Sequence, residues 1–259
     1  MKWRLGVVGS PIEHSLSPVL HEAGLELAGL QGSSTRLEVT GEQVSTLRTL
    51  MGTTFDALSV TMPLKESAAR VCDQLDEVST RIGAVNSLLE RDGAILGACT
   101  DGIGFVDALS AQLSYEVANK RVVMLGAGGA ARGIVDALVH AGVRSIVVEG
   151  RTASRVLEIV ERYEVVSTSG DPEAPVDLIV NTVPIGGRLE PTVHEGVHDQ
   201  TVAIDITYEP RMSKWRSLYD AHGCQSANGL GMLAYQAARQ MQWWWDTPID
   251  GARLLEVIE

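Results

Sequence analysis

Two groups of residues in this 259-residue chain have types and spacings suited to chemistry. The first is Gly126-Ala127-Gly128-Gly129-Ala130-Ala131, a match to G-x-G-x-x-[GA] between the apolar run Arg121 to Leu125 and a helical pattern through Ile134, Val135, Leu138 and Val139. In that setting the first glycine makes a tight turn and the second lets backbone approach a pyrophosphate. The small last residue allows close helix-to-sheet packing, and the helix N-terminus faces the anion. The ribose 2′ position is read about 20 residues further on, here at Glu149-Gly150-Arg151-Thr152. Arg151 would pair with a 2′-phosphate, which selects NADP. Glu149 would accept from a 2′-hydroxyl, so Glu149 and Gly150 leave NAD open.

The second group is scattered over the first hundred residues. Ser15 and Ser17, in Ser15-Leu16-Ser17-Pro18, either cap the following helix or present hydroxyls to a carboxylate. Thr61 and Lys65 follow the run Ala57 to Val60, Asn86 ends Gly83-Ala84-Val85-Asn86, and Asp101 lies in Thr100-Asp101-Gly102-Ile103-Gly104. Hydroxyl, ammonium, amide and carboxylate thus all fall at strand ends, where open α/β sheets place their ligands. A lone lysine is a solvated surface charge, but with an amide and a carboxylate at neighbouring strand ends it becomes a candidate for chemistry.

The elements that must position these groups follow from hydrophobic periodicity. Strands are expected at Leu5 to Val8, Ser34 to Val39, Ala57 to Val60 and Ser87 to Leu89, with helices at Pro18 to Ala28, Gly41 to Met51 and Lys65 to Cys72. A glycine-bearing turn at Thr100 to Gly104 leads into a helix over Phe105 to Leu113. Beyond it come strands at Arg121 to Leu125, Ser145 to Val148, Val176 to Val180 and Thr201 to Asp205, and helices from Ala153 to Tyr163 and Leu230 to Trp244. Strands alternating with helices imply parallel pairing. The expectation is two α/β domains: residues 1–101 for substrate, residues 102–228 as a Rossmann-like dinucleotide domain, and residues 229–259 as a helical segment returning to the first.

Composition narrows the class. With 45% apolar and 21% charged residues the chain can bury a core, which excludes a disordered one. Lys and Arg number 21 against 33 Asp and Glu, a net charge of −12, which disfavours nucleic acid and anionic lipid as partners. No signal peptide or membrane span is read, and Cys72, Cys99 and Cys224 lack CxxC spacing, so a reducing, cytoplasmic setting is expected. His194 and His198 lack a third ligand and imply no metal. Trp243-Trp244-Trp245 cannot all face one core from a helix, so at least one is expected to be partly exposed.

Taken in order, the blocks Gly9 to Pro18, Val60 to Lys65, Gly83 to Asn86, Thr100 to Gly104, Gly126 to Arg132, Asn181 to Gly186 and Gly229 to Gln236 resemble those of the shikimate dehydrogenase family over nearly the whole chain. The resemblance implies reversible, NADPH-dependent reduction of 3-dehydroshikimate to shikimate, a step of aromatic amino-acid and chorismate biosynthesis, with substrate in a cleft between the halves. It implies that Ser15 and Ser17 bind the substrate carboxylate and that Thr61, Asn86, Asp101 and Gln236 hold ring hydroxyls. Lys65 and Asp101 are then the catalytic pair, and Tyr208 stands where the family has a cleft tyrosine. Gly126, Ala127, Gly128, Gly129, Ala130, Arg151, Thr152 and Thr182 would hold the cofactor, with Gly229 and Met232 near the nicotinamide. Two departures stand out: Gly150-Arg151-Thr152 where the family usually has Asn-Arg-Thr, and Val183 and Gly187 where it often has Thr and Met. A quinate/shikimate dehydrogenase working oxidatively, often with NAD, would share the catalytic pair. A homodimer is compatible with the sequence.

Overall fold

The structure, a computed structural model, describes residues 2–171, 174–184 and 192–259. Ile185, Gly186 and Gly187 of the block after Asn181 lie outside the described residues. The chain divides into two compact units, residues 1–108 with 233–259, and residues 109–232. Both divisions fall inside helices rather than at 101/102 and 228/229.

In the first unit, β1 (Lys2–Gly9), α1 (Ser17–Leu27) and β2 (Gln31–Glu38) open the chain. After a 3-10 turn at Gly41–Thr46 come α2 (Leu47–Leu50), β3 (Ala57–Val60), α3 (Lys65–Ala69), β4 (Gln74–Leu75), α4 (Glu77–Ile82), β5 (Ser87–Arg91), β6 (Ala94–Ala98) and α5 (Asp101–Leu113). The sheet order is β2-β1-β3-β5-β6-β4. β1 pairs parallel with β2 and β3, whereas β5 runs antiparallel to β3 and β6. The core beneath it gathers Val8, Leu47, Leu58, Leu64 and Leu88. Sequence periodicity misses the β5–β6 hairpin, whose Asp92-Gly93 turn has both φ positive, 54° and 81°, the backbone that a two-residue hairpin requires.

Three expectations for this unit change. The helix over Gly41 to Met51 is instead a 3-10 helix, Gly41–Thr46, followed by the four-residue α2. The helix from Lys65 ends at Ala69 instead of Cys72. Thr100 to Gly104 is not a glycine turn, because α5 begins at Asp101. A β-carbon on Gly104 would lie 2.4 Å from the backbone of Gln236, so that glycine serves close helix packing instead of turning the chain.

The second unit follows as β7 (Arg121–Leu125), α6 (Gly129–His140), β8 (Ser145–Glu149), α7 (Ala153–Val160), β9 (Val166–Ser167), β10 (Leu178–Asn181), β11 (Val202–Asp205), α8 (Lys214–Ala221) and β12 (Gln225–Ala227). Its strands are all parallel, in the order β12-β11-β10-β7-β8-β9. The order reverses between β7 and β10, the switch point at which open α/β sheets bind ligands. α9 (Leu230–Trp245) and α10 (Gly251–Ile258) complete the chain. No helix among the described residues is long and apolar enough to cross a membrane. Of the three tryptophans, Trp244 is buried and donates from Nε1 to Ser87 Oγ at 2.8 Å, while Trp243 and Trp245 are half-buried.

A buried polar chain runs through the first unit. Ser59 Oγ donates to Gln240 Oε1 at 2.5 Å, and Gln240 Nε2 donates to the Asn86 carbonyl at 2.8 Å. Ser59 therefore accepts from His21 Nε2 (2.8 Å), which leaves His21 Nδ1 to accept from Ser34 Oγ (2.8 Å). Burial pushes the His21 pKa from its usual 6.5 down to about 3, against the raising effect of the Gln240 contact. In acid, the unfolded chain thus takes up a proton that the folded chain refuses. The contribution of neutral His21 is complete above about pH 6.5 and declines toward pH 3. Between pH 7 and 5 the unfolding free energy from urea titration should fall by about 2 kcal/mol on this account. His21→Gln, though less stable at pH 7, should show a shallower decline; an unchanged slope would remove His21 as its source.

Candidate active site

Parallel pairing of β1 with β3 brings the segment after Gly9 beside the segment after Val60. Ser10 N donates to the Met62 carbonyl at 3.0 Å, and a β-carbon on Gly9 would press within 2.4 Å of Thr61 Cγ2. Thr61 N donates to Val8 O, and Leu64 N closes a turn onto Thr61 O, so Lys65 starts α3 just past the sheet. Its ammonium Nζ lies 2.5 Å from Asp101 Oδ2, and the two side chains are only 14% and 4% exposed. Asp101 starts α5, where helix-terminal N–H groups favour a carboxylate.

Asn86 is placed by α4 and the sheet. Asp76 caps α4 through Ser79 N at 2.7 Å, Gly83 ends the helix at φ +68°, and the chain then enters β5. Asn86 Nδ2 has three acceptors within reach: Thr100 Oγ1 at 3.0 Å, Asp101 Oδ1 at 3.0 Å and Gln236 Oε1 at 2.9 Å. An amide carries two hydrogens, so one acceptor can be taken over by a ligand hydroxyl without stranding Asn86. Thr100 N donates back to Asn86 Oδ1 at 2.9 Å, and Thr100 Oγ1 donates to the Gln236 carbonyl at 2.9 Å. Burial, reinforced by Asp101 and opposed by Lys65, pushes the neighbouring Cys99 thiol well up, so it stays protonated.

The N-cap position of α1 is Leu16, which makes no side-chain cap, while Ser15 Oγ accepts from Ser17 N at 3.3 Å. Their hydroxyls lie 3.2 Å apart, and the Arg36 guanidinium holds the Ser15 carbonyl at 2.6 and 2.9 Å. Lys65, Asp101, Asn86, Thr61, Gln236, Ser15 and Ser17 all belong to the first unit. Sequence reasoning overlooks three participants: Arg36, Thr100 and Gln240. Thr100 is signalled only by its place beside Asp101; neither of the others has a local signal.

The glycine loop has the form a dinucleotide requires. Gly126 sits at φ +114° and donates to the Glu149 carbonyl at 2.7 Å; a β-carbon there would meet Thr182 Oγ1 at 2.2 Å. Thr182 Oγ1 in turn donates to Leu125 O at 2.9 Å. Gly128 precedes α6 with open space where a side chain would be, and α6 has neither a side-chain cap nor an acidic first turn. Its first N–H groups are therefore available to an anion. Ala131 is fully buried, as close helix-to-sheet packing demands. These residues fit a bound pyrophosphate.

Arg151 and Thr152 are exposed after β8, and Glu149 Oε1 lies 2.9 Å from His194 Nε2, a pairing the sequence does not suggest. His198 Nδ1 accepts from Gln200 N at 3.2 Å, so each of the two histidines has another partner. A β-carbon on Gly229 would fall 1.9 Å from Ile206 O. Gly229, buried Met232 and half-buried Tyr208 belong to the second unit, apart from the Lys65 group in the division of the chain.

Residues 7–88 match the family model described as the shikimate dehydrogenase substrate binding domain, and residues 108–173 match that of shikimate / quinate 5-dehydrogenase. The chain is 36% identical to the shikimate dehydrogenase (NADP(+)) of Exiguobacterium sp., covering 97% of each. It is 31% identical to that of Geobacillus kaustophilus, covering 98% of this chain and 96% of that protein. Among solved structures, it is similar to the Thermus thermophilus shikimate 5-dehydrogenase in complex with NADP(H) and shikimate. The TM-score is 0.87 and the identity 32%, with 98% of each chain covered.

Proposed function

Since the chain belongs to the shikimate dehydrogenase family, we propose that it catalyses the reversible, NADPH-dependent reduction of 3-dehydroshikimate to shikimate. The observation that carries this reading is the largely buried lysine–carboxylate pair beside an amide with more acceptors than hydrogens.

Bound at the glycine loop, NADPH supplies the hydride. Lys65 Nζ donates to the substrate oxygen as negative charge builds there, stabilising the transition state and delivering the proton. Asp101 holds the ammonium through one carboxylate oxygen and shares its other side with Asn86 and an adjacent ring hydroxyl. Thr61, Asn86 and Gln236 hold the remaining hydroxyls, and the hydroxyls of Ser15 and Ser17 receive the substrate carboxylate, with Arg36 fixing the Ser15 backbone. Tyr208 contributes a further contact to substrate. In the second unit, Gly126, Ala127, Gly128, Gly129 and Ala130 cradle the pyrophosphate, Arg151 and Thr152 take the 2′-phosphate, and Thr182, Gly229 and Met232 line the nicotinamide end. Burial pushes the thiols of Cys72, Cys99 and Cys224 up, so they stay protonated and take no part in the proposed step.

Initial rates over the four pairings of shikimate and quinate with NADP and NAD test the reading. The expected result is highest kcat/KM for shikimate with NADP. A chain inert in all four would overturn it, and a preference for quinate with NAD would move it to the oxidative relative. Sedimentation of the purified chain tests the expected homodimer.

A further inference from the structure

The 2′ end of the dinucleotide site, as proposed above, carries a carboxylate that should reject the phosphate it has to bind. Glu149 ends β8, and its own carbonyl accepts from Gly126 N at 2.7 Å, so the residue flanks the glycine turn directly. Arg151, two positions on, is exposed and makes no hydrogen bond or ion pair among the described residues. A free Glu149 would cancel the attraction of Arg151 for a 2′-phosphate and would itself suit a 2′-hydroxyl.

Glu149 is not free. His194 Nε2 lies 2.9 Å from its Oε1, while His194 Nδ1 faces the carbonyl of Glu195. A carboxylate can only accept, so His194 donates from Nε2 and occupies the Glu149 oxygen that would otherwise accept from a ribose 2′-hydroxyl. We propose that His194 is a specificity-determining residue of this enzyme: by engaging Glu149 it turns a site with an NAD-type carboxylate into one that accepts the 2′-phosphate of NADP. Gly150 adds no side chain of its own, and a β-carbon there would come within 3.0 Å of Val156 Cγ2. Position 194 therefore supplies the donor group that position 150 lacks.

This inference rests on the NADP reading, and titration calorimetry separates the two. Dissociation constants for NADP and NAD are measured for the unsubstituted chain, His194→Ala, Glu149→Gln and the double variant. His194→Ala should lower the ratio Kd(NAD)/Kd(NADP) about fivefold, and Glu149→Gln should raise it. In the Glu149→Gln background, His194→Ala should leave the ratio unchanged, because no carboxylate remains for His194 to engage. An equal effect of His194→Ala in both backgrounds would mean direct contact with the phosphate and would overturn the proposal. Parallel weakening of both nucleotides would overturn it too, by reducing His194 to a strut between its loop and β8. An unsubstituted chain that prefers NAD would count against the cofactor reading alone, since a further shift toward NAD on His194→Ala would still support the engagement of Glu149.

Discussion

Lys65→Ala should lower kcat for shikimate oxidation by about 10²- to 10⁴-fold, the range for loss of a positioned proton donor or acceptor, with KM changed only several-fold. The split follows from the arrangement. In the proposed roles, Ser15, Ser17, Thr61, Asn86 and Gln236 all remain to bind the ground state, whereas the charge that develops on the reacting oxygen loses its cation. The buried setting enlarges the effect, since Lys65 and Asp101 lie close together with little solvent between them and the reaction. Asp101 left without its ammonium is a buried carboxylate held by Asn86 and only weakly by the Cys99 thiol, so some loss of thermal stability should accompany the variant. Circular dichroism melting separates that loss from the catalytic one. Near-normal turnover in a folded Lys65→Ala protein would remove Lys65 from the mechanism.

Gly126→Ala should raise the Kd for NADP by at least about tenfold while shikimate binding is retained. The backbone at φ +114° is one that L side chains rarely adopt, and holding one there costs about 1–3 kcal/mol. The new methyl would also stand 2.2 Å from Thr182 Oγ1, whose hydroxyl is already committed to Leu125 O. Relief requires the loop to shift, and in the proposed site the loop presents the first N–H groups of α6 to the phosphates. The Lys65 group belongs to the other unit of the chain, so calorimetry with shikimate serves as an internal control. Unaltered NADP affinity would exclude the loop as the dinucleotide cradle.

The two sites differ in how far they are legible from sequence. Strand, glycine turn and helix at Arg121 to His140 are read in order, the strand with its bounds, though α6 begins at Gly129, ahead of the apolar repeat from Ile134; every constraint is local: an apolar run, a φ only glycine tolerates, a helical repeat. Asp92-Gly93 carries an equally local hairpin signal, yet the strands around it are short and partly polar, so periodicity alone passes over β6. Gly102 and Gly104 mislead for the opposite reason. Glycines between a strand and a helix suggest a turn, but the reason for Gly104 is the backbone of Gln236, distant in sequence and adjacent in space. Composition likewise points away from anions for the chain as a whole, while Lys65, Arg36, Arg151 and the α6 terminus supply local donors. The resemblance supplies roles for Lys65 and Asp101; the amide of Asn86 shared among three acceptors, and the grip of His194 on Glu149 from 45 positions away, emerge only from three-dimensional placement.

The first unit is discontinuous in the chain, residues 1–108 being completed by 233–259. On the ribosome its six strands emerge long before α9, with the whole second unit synthesised in the interval. Until then Ser87 has no Trp244 indole, Ser59 has no Gln240 carbonyl oxygen, and Asn86 and Thr100 have no Gln236. These are interior polar groups that would have to keep their water. The nascent first unit is thus held hydrated and unfinished by its own connectivity, and residues 233–259 convert it into a dry, complete one.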